Sequence, residues 1–82
     1  MIALIKVRVQ FRGGLLHLTD EKEPEKVVSV RRGATLAEVV AACGLALHEV
    51  LGAMSGGILK SLHDEVQDGE TLELLPVVSG GD

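Results

Sequence analysis

Eighty-two residues with 12 acidic and 8 basic side chains, a net charge of −4, suffice for one small domain. At that size folding removes only about 60–65% of the unfolded chain's surface from water, so the core is limited. Phe11 is the only aromatic residue, which leaves no stacking platform for single-stranded nucleic acid, and the acidic balance disfavours phosphate backbones and favours protein partners with basic surfaces.

The single cysteine, Cys43, excludes an internal disulfide framework and fits a reducing cytosol. The apolar run Ile2–Val9 is broken by Lys6 and Arg8 and is too short and too charged for a signal peptide or a membrane span. The expectation is a cytoplasmic chain with neither a membrane nor a nucleic-acid partner.

Residues 5–12 alternate, with Ile5, Val7, Val9 and Phe11 on one face and Lys6, Arg8, Gln10 and Arg12 on the other. That period of two predicts a half-buried strand. Gly13-Gly14 reads as a turn and Leu15–Leu18 as a short returning strand. The charged run from Asp20 to Glu25, with Pro24 inside it, reads as a surface loop. Val27–Arg31 is expected to be the next strand.

Thr35-Leu36-Ala37-Glu38 has the form of a capping box, in which Thr35 and Glu38 satisfy each other's backbone N–H groups. Leu36, Val39, Val40 and Cys43 then recur at helical spacing, and Gly44 is placed to end the helix. Cys43 on that apolar face reads as an inert core residue.

Val50–Met54 reads as a strand, Gly56-Gly57 as a tight turn, and Ile58–Lys60 as its short partner. Asp68-Gly69 signals another turn. Thr71–Leu75 alternates, with Leu72 and Leu74 facing inward and Leu75 on the opposite side, where it could extend a docking patch. Pro76, which has no ladder donor, is expected to end the pairing. Glu70 and Glu73 could meet basic residues of a partner. His17, His48 and His63 lack the spacing of a zinc site, so no metal is expected.

The fold class predicted is α+β: a mixed sheet of four to five strands with one main helix across it. Residues 1–75 form the globular domain, and 76–82 form a flexible tail ending Gly80-Gly81-Asp82. Glycine lets a backbone approach a nucleotide or nucleophile closely. A tail from Pro76 to Gly81, fully extended, reaches about 20 Å.

The element order, Gly33-Ala34-Thr35-Leu36, Gly56-Gly57, Asp68-Gly69-Glu70 and the end Leu74-Leu75-Pro76-Val77-Val78-Ser79-Gly80-Gly81 together resemble the MoaD/ThiS family of β-grasp sulfur carriers, relatives of ubiquitin. The terminal pattern is nearer the MoaD branch. The chain departs from the family in Arg12-Gly13-Gly14-Leu15 after the first strand, in Val77 where a second proline is usual, and in Asp82 beyond the terminal glycine.

The resemblance implies a non-catalytic carrier with no bound cofactor. A MoeB/ThiF-like enzyme would use ATP to adenylate Gly81, and sulfur would then replace AMP to leave a thiocarboxylate. Leu75, Pro76, Val77, Val78, Ser79 and Gly80 would contact the partner. A peptidase would first remove Asp82. The acceptor implied is a MoaE-like subunit in molybdenum or tungsten pterin cofactor synthesis. Other readings are sulfur delivery to thiamin, tRNA or amino-acid synthesis, a ubiquitin-like modifier joined through Gly81 to lysines, and an interaction module with an inert tail.

Overall fold

The computed structural model describes residues 3–11 and 25–77. In chain order they form β1 (Leu4–Gln10), β2 (Glu25–Arg31), α1 (Leu36–Ala42), a single 3-10 turn (Leu47–Glu49), β3 (Val50–Ser55), β4 (Ile58–Lys60) and β5 (Thr71–Pro76). The strands make one mixed sheet in the order β2-β1-β5-β3-β4. β5, last in the chain, lies in the middle, parallel to β1 and antiparallel to β3.

Alternation along β1 does what the sequence predicts. Ile5, Val7 and Val9 are buried while Leu4, Lys6 and Arg8 are exposed. Phe11, just past β1, is also buried. β2 begins at Glu25, which the sequence reading assigns to the charged loop. Its Cα pairs with that of Gln10, and the Gln10 side-chain amide donates to the Glu25 carboxylate at 3.2 Å. The expected strand Leu15–Leu18 and most of the charged run lie outside the described residues.

The helix α1 covers the buried face of the sheet with Leu36, Val39 and Val40, all fully buried beside Leu72, Leu74 and Val7. Its first turn is closed on two sides. Thr35 N–H donates to the Glu38 carboxylate at 2.8 Å, the return half of the capping box. Leu36 and Ala37 N–H donate to the carbonyls of Asp64 and Leu62, so the 61–66 loop satisfies donors that a helix start leaves open. At the other end Gly44 (φ +82°) turns the chain left-handed, with Gly44 N–H on Ala41 and Leu45 N–H on Val40. These two bonds make a Schellman motif, for which glycine is the natural residue.

The Arg31 guanidinium grips Glu38 with two bonds of 3.0 and 2.9 Å, tying the end of β2 to α1. The Thr35 N–H and then Arg31 hold the Glu38 carboxyl below its ordinary range. No helix among the described residues is long and apolar enough to cross a membrane.

Candidate functional site

Those of the residues predicted to act that the structure describes lie at the C-terminal end of β5. Its N-terminal end sets the contrast. Lys6 N–H donates to Asp68 Oδ1 at 2.9 Å, Gly69 N–H to the Lys6 carbonyl at 2.7 Å, and Arg8 N–H to the Glu70 carbonyl at 2.9 Å. The Glu70 side chain, only 11% exposed, meets the Lys60 ammonium at 2.6 Å, accepts a hydrogen bond from the Ser55 hydroxyl, and accepts from Gln67 N–H at 2.8 Å. Burial works against its charge, but these partners outweigh it and hold its pKa below the ordinary glutamate value. Lys60 donates also to the Glu65 carbonyl at 2.8 Å. Glu70 is therefore held by partners within the molecule, Lys60 first among them, although the two stand ten positions apart in sequence.

At the other end, β5 continues one residue further than predicted. Pro76 pairs with Val50. Val77 N–H donates to the Glu49 carbonyl at 3.1 Å, so Val50 and Pro76 form a pair that exchanges no hydrogen bonds with each other. At such a position proline's missing N–H costs the β3–β5 ladder nothing. Val77 is half exposed. Val78, Ser79, Gly80, Gly81 and Asp82 lie outside the described residues, so the structure describes Leu75, Pro76 and Val77 of the predicted contact set.

Beside this exit the β3 register shifts between Val50 and Gly52, leaving Leu51 as the extra residue of a β-bulge. Leu51 is exposed on the face away from α1, and half-buried Leu75 pairs with Gly52 on that same side. A Cβ at Gly52 would stand 2.4 Å from the Lys60 carbonyl oxygen and 3.8 Å from the Leu59 side chain. Glycine there admits the close β4 backbone, whereas the Leu59 side chain lies at ordinary contact distance from that position. Sequence reading missed this grouping; the one available signal was a glycine inside an otherwise apolar strand.

Elsewhere, a depression of about 250 Å³ on the opposite half of the same face is lined by Lys6, Val7, Arg8, Val27, Gly69 and Thr71. Cys43 is buried in the core, and that burial raises its pKa to about 11 against a smaller opposing effect of Lys26. Its thiol is thus far from the thiolate a sulfur relay would use. His48 and His63 are exposed, and His17 lies outside the described residues. No group of three or more His, Cys, Asp and Glu side chains gathers among the described residues.

A helix across one face of a five-stranded mixed sheet, with the final strand in the middle, defines a ubiquitin-like β-grasp protein. Two solved structures share it. The solution structure of the Haloferax volcanii HVO 2177 protein matches with a TM-score of 0.74 at 17% identity, over 95% of this chain and 88% of that one. The crystal structure of SAMP1 from Haloferax volcanii matches with a TM-score of 0.66 at 20% identity, over 93% and 99%. The model of the ThiS family matches residues 9–81, a span that takes in Gly80 and Gly81. The chain belongs to the ThiS family.

Proposed function

We propose that this protein is a sulfur carrier whose reacting group is the carboxyl of Gly81, released by hydrolysis of the Gly81–Asp82 bond. The Gly81 carboxylate attacks the α-phosphate of ATP held by a ThiF/MoeB-like enzyme, and pyrophosphate leaves. Hydrosulfide then attacks the acyl carbon and displaces AMP, leaving a thiocarboxylate. The carrier contributes an unhindered acyl group and a body to be held; acid, base and metal belong to the enzyme.

The observation that carries this reading is the family match extending through Gly80-Gly81, on a chain whose last described backbone bond is made by Val77. Three residues, Val78, Ser79 and Gly80, separate Val77 from Gly81. Asp82 would put a second carboxylate next to the reacting one, so its removal is part of the proposal. The acceptor proposed is a MoaE-like subunit of pterin cofactor synthesis in the cytoplasm, supported by the Pro76 to Gly81 pattern. The same acyl-adenylate attacked by a lysine amine would make the chain a protein modifier.

The test incubates two forms, one ending at Gly81 and one at Asp82, with ATP, sulfide and a ThiF/MoeB-like enzyme from the same organism. Mass spectrometry should find the adenylate and thiocarboxylate on the Gly81 form alone. Absence of both from the Gly81 form refutes the reading. Lysine-linked Gly-Gly remnants in cells, without thiocarboxylate, would replace sulfur transfer by conjugation.

A further inference from the structure

The sheet has two edges, and they are unequal. β4 offers three residues and β2 offers seven. Arg32 N–H donates to the Ala3 carbonyl at 3.0 Å, while the bonds of Lys6 and Arg8 to the 69–70 segment turn the even residues of β1 towards β5. The β1–β2 ladder therefore uses the even residues of β2, and the backbone groups of Glu25, Val27, Ser29 and Arg31 point outward. Among the described residues nothing pairs with those of Val27 and Ser29. A long edge with no bulge and no internal proline is a template for another strand.

The side chains of this edge select which strand. Glu25 stands at one end and Arg31 at the other, with Val27, Val28 and Ser29 between them. An antiparallel copy related by a two-fold axis at Val28 sets each Glu25 opposite the second copy's Arg31. Val27 and Ser29 then exchange both backbone bonds with Ser29 and Val27 of that copy, and the Arg31 N–H adds another at each end. The Arg31 carbonyl adds none, because it already accepts from Ala34 N–H at 3.1 Å. Moving the axis to Ser29 sets Lys26 against Arg32, two cations; moving it to Val27 sets Arg31 beyond the first residue of β2. Axes between residues oppose outward groups to inward ones and make no ladder. Among the described residues both charges have capacity left. Arg31 holds Glu38 through Nε and Nη2, which leaves Nη1, and Gln10 and Arg8 both approach Oε1 of Glu25, which leaves Oε2.

We propose that β2 pairs antiparallel with the β2 of a second copy about a two-fold axis at Val28, joining two sheets into one. Each favourable contact then occurs twice, and Val27, 56% exposed, is flanked by the second copy. β1 is antiparallel to β2 and parallel to β5, so the two copies of β5 run in opposite directions and point their C-terminal ends apart. The pairing does not depend on the chemistry at Gly81.

Sedimentation velocity of the full chain from about 1 μM to about 1 mM tests it, the range suited to an interface of less than standard size. Wild type should pass from monomer to dimer. Ser29→Pro removes an outward N–H and spares the ladder to β1, so it should remain monomeric; Val27→Pro replaces it should that variant fail to fold by circular dichroism. Glu25→Arg and Arg31→Glu each turn both opposite-charge pairs into like-charge pairs and should raise the dissociation constant about tenfold or more. An equimolar mixture of these two should recover the dimer, because a mixed pair is complementary at both ends; loss of the Arg31–Glu38 link by itself produces no such recovery. Leu59→Glu, on the β4 edge, should dimerise as wild type does. A wild-type chain monomeric at about 1 mM, a folded proline variant that dimerises normally, or charge variants that gain nothing on mixing overturns the proposal. A dimer lost in Leu59→Glu and kept in Ser29→Pro puts the contact on the other edge and overturns it as well.

Discussion

The two ends of β5 are built to opposite specifications. Its entrance is bound to β1 by three backbone-centred bonds from the 68–70 segment. It is also pinned to β3 and β4 through Glu70, Ser55 and Lys60. At its exit, the last backbone bond among the described residues runs from Val77 to Glu49. The difference teaches that the strand is an anchor at one end and a delivery point at the other. Strain applied to the terminus by a partner is met by the middle of a sheet, not by a frayed edge.

The largest effect expected in breaking this contrast is chemical. Gly81→Val should lower adenylation on the order of 100-fold, since a branched side chain beside the reacting carbon displaces it from the nucleotide. The fold should melt as before, which a thermal scan beside a pyrophosphate-release assay checks. Next comes the buried middle of the strand. Leu72 is fully buried, and Leu72→Ala should cost about 2–5 kcal/mol in a urea titration, from lost burial plus the cavity left behind.

The entrance should respond less. Glu70→Ala leaves the Lys60 ammonium without its carboxylate and should cost about 1–3 kcal/mol. The sign of its pH dependence is fixed by the direction of the shift. Because the folded-state pKa lies below the ordinary 4.5, the stabilisation is complete above that value and is lost as pH falls through the lowered pKa. Glu70→Gln should therefore flatten the acid side of a stability-against-pH curve.

The smallest effect is at the exit. Val77→Pro removes the N–H that Glu49 accepts and should cost about 1 kcal/mol or less. Any effect on adenylation should fall on the KM for the carrier, because Val77 belongs to the predicted contact set, and kcat should be kept, because a second proline is usual there in the family. A large loss of activity there would mean that the Val77 bond aims the terminus, and the two ends would be less different than they look.

What the sequence made legible follows from the range of each signal. The alternation of Ile5 through Phe11, the Thr35/Glu38 box and the inward Leu72 and Leu74 are local patterns with a single structural solution, and each stands in the structure. Glu25 was hidden by its charged neighbours, although the ladder with β1 needs only its backbone. The 3-10 turn Leu47–Glu49 is too short to have a period. The Pro76 pairing depends on which backbone groups of β3 face β5, a phase that one strand's sequence does not contain. The bulge at Leu51 and the Lys60–Glu70 pair are likewise properties of strands meeting. The terminal Gly80-Gly81 was legible only as a pattern, and it lies outside the described residues.

The place of β5 between β1 and β3 has a consequence for how the domain closes. β1 and β3 share no ladder and are joined only through β5, which pairs Arg8 with Thr71 on one side and Ala53 with Leu74 on the other. The β1–β2 and β3–β4 hairpins can each form from neighbouring stretches of chain, but the sheet becomes one body only when partners far apart in sequence meet, the slow kind of contact in folding.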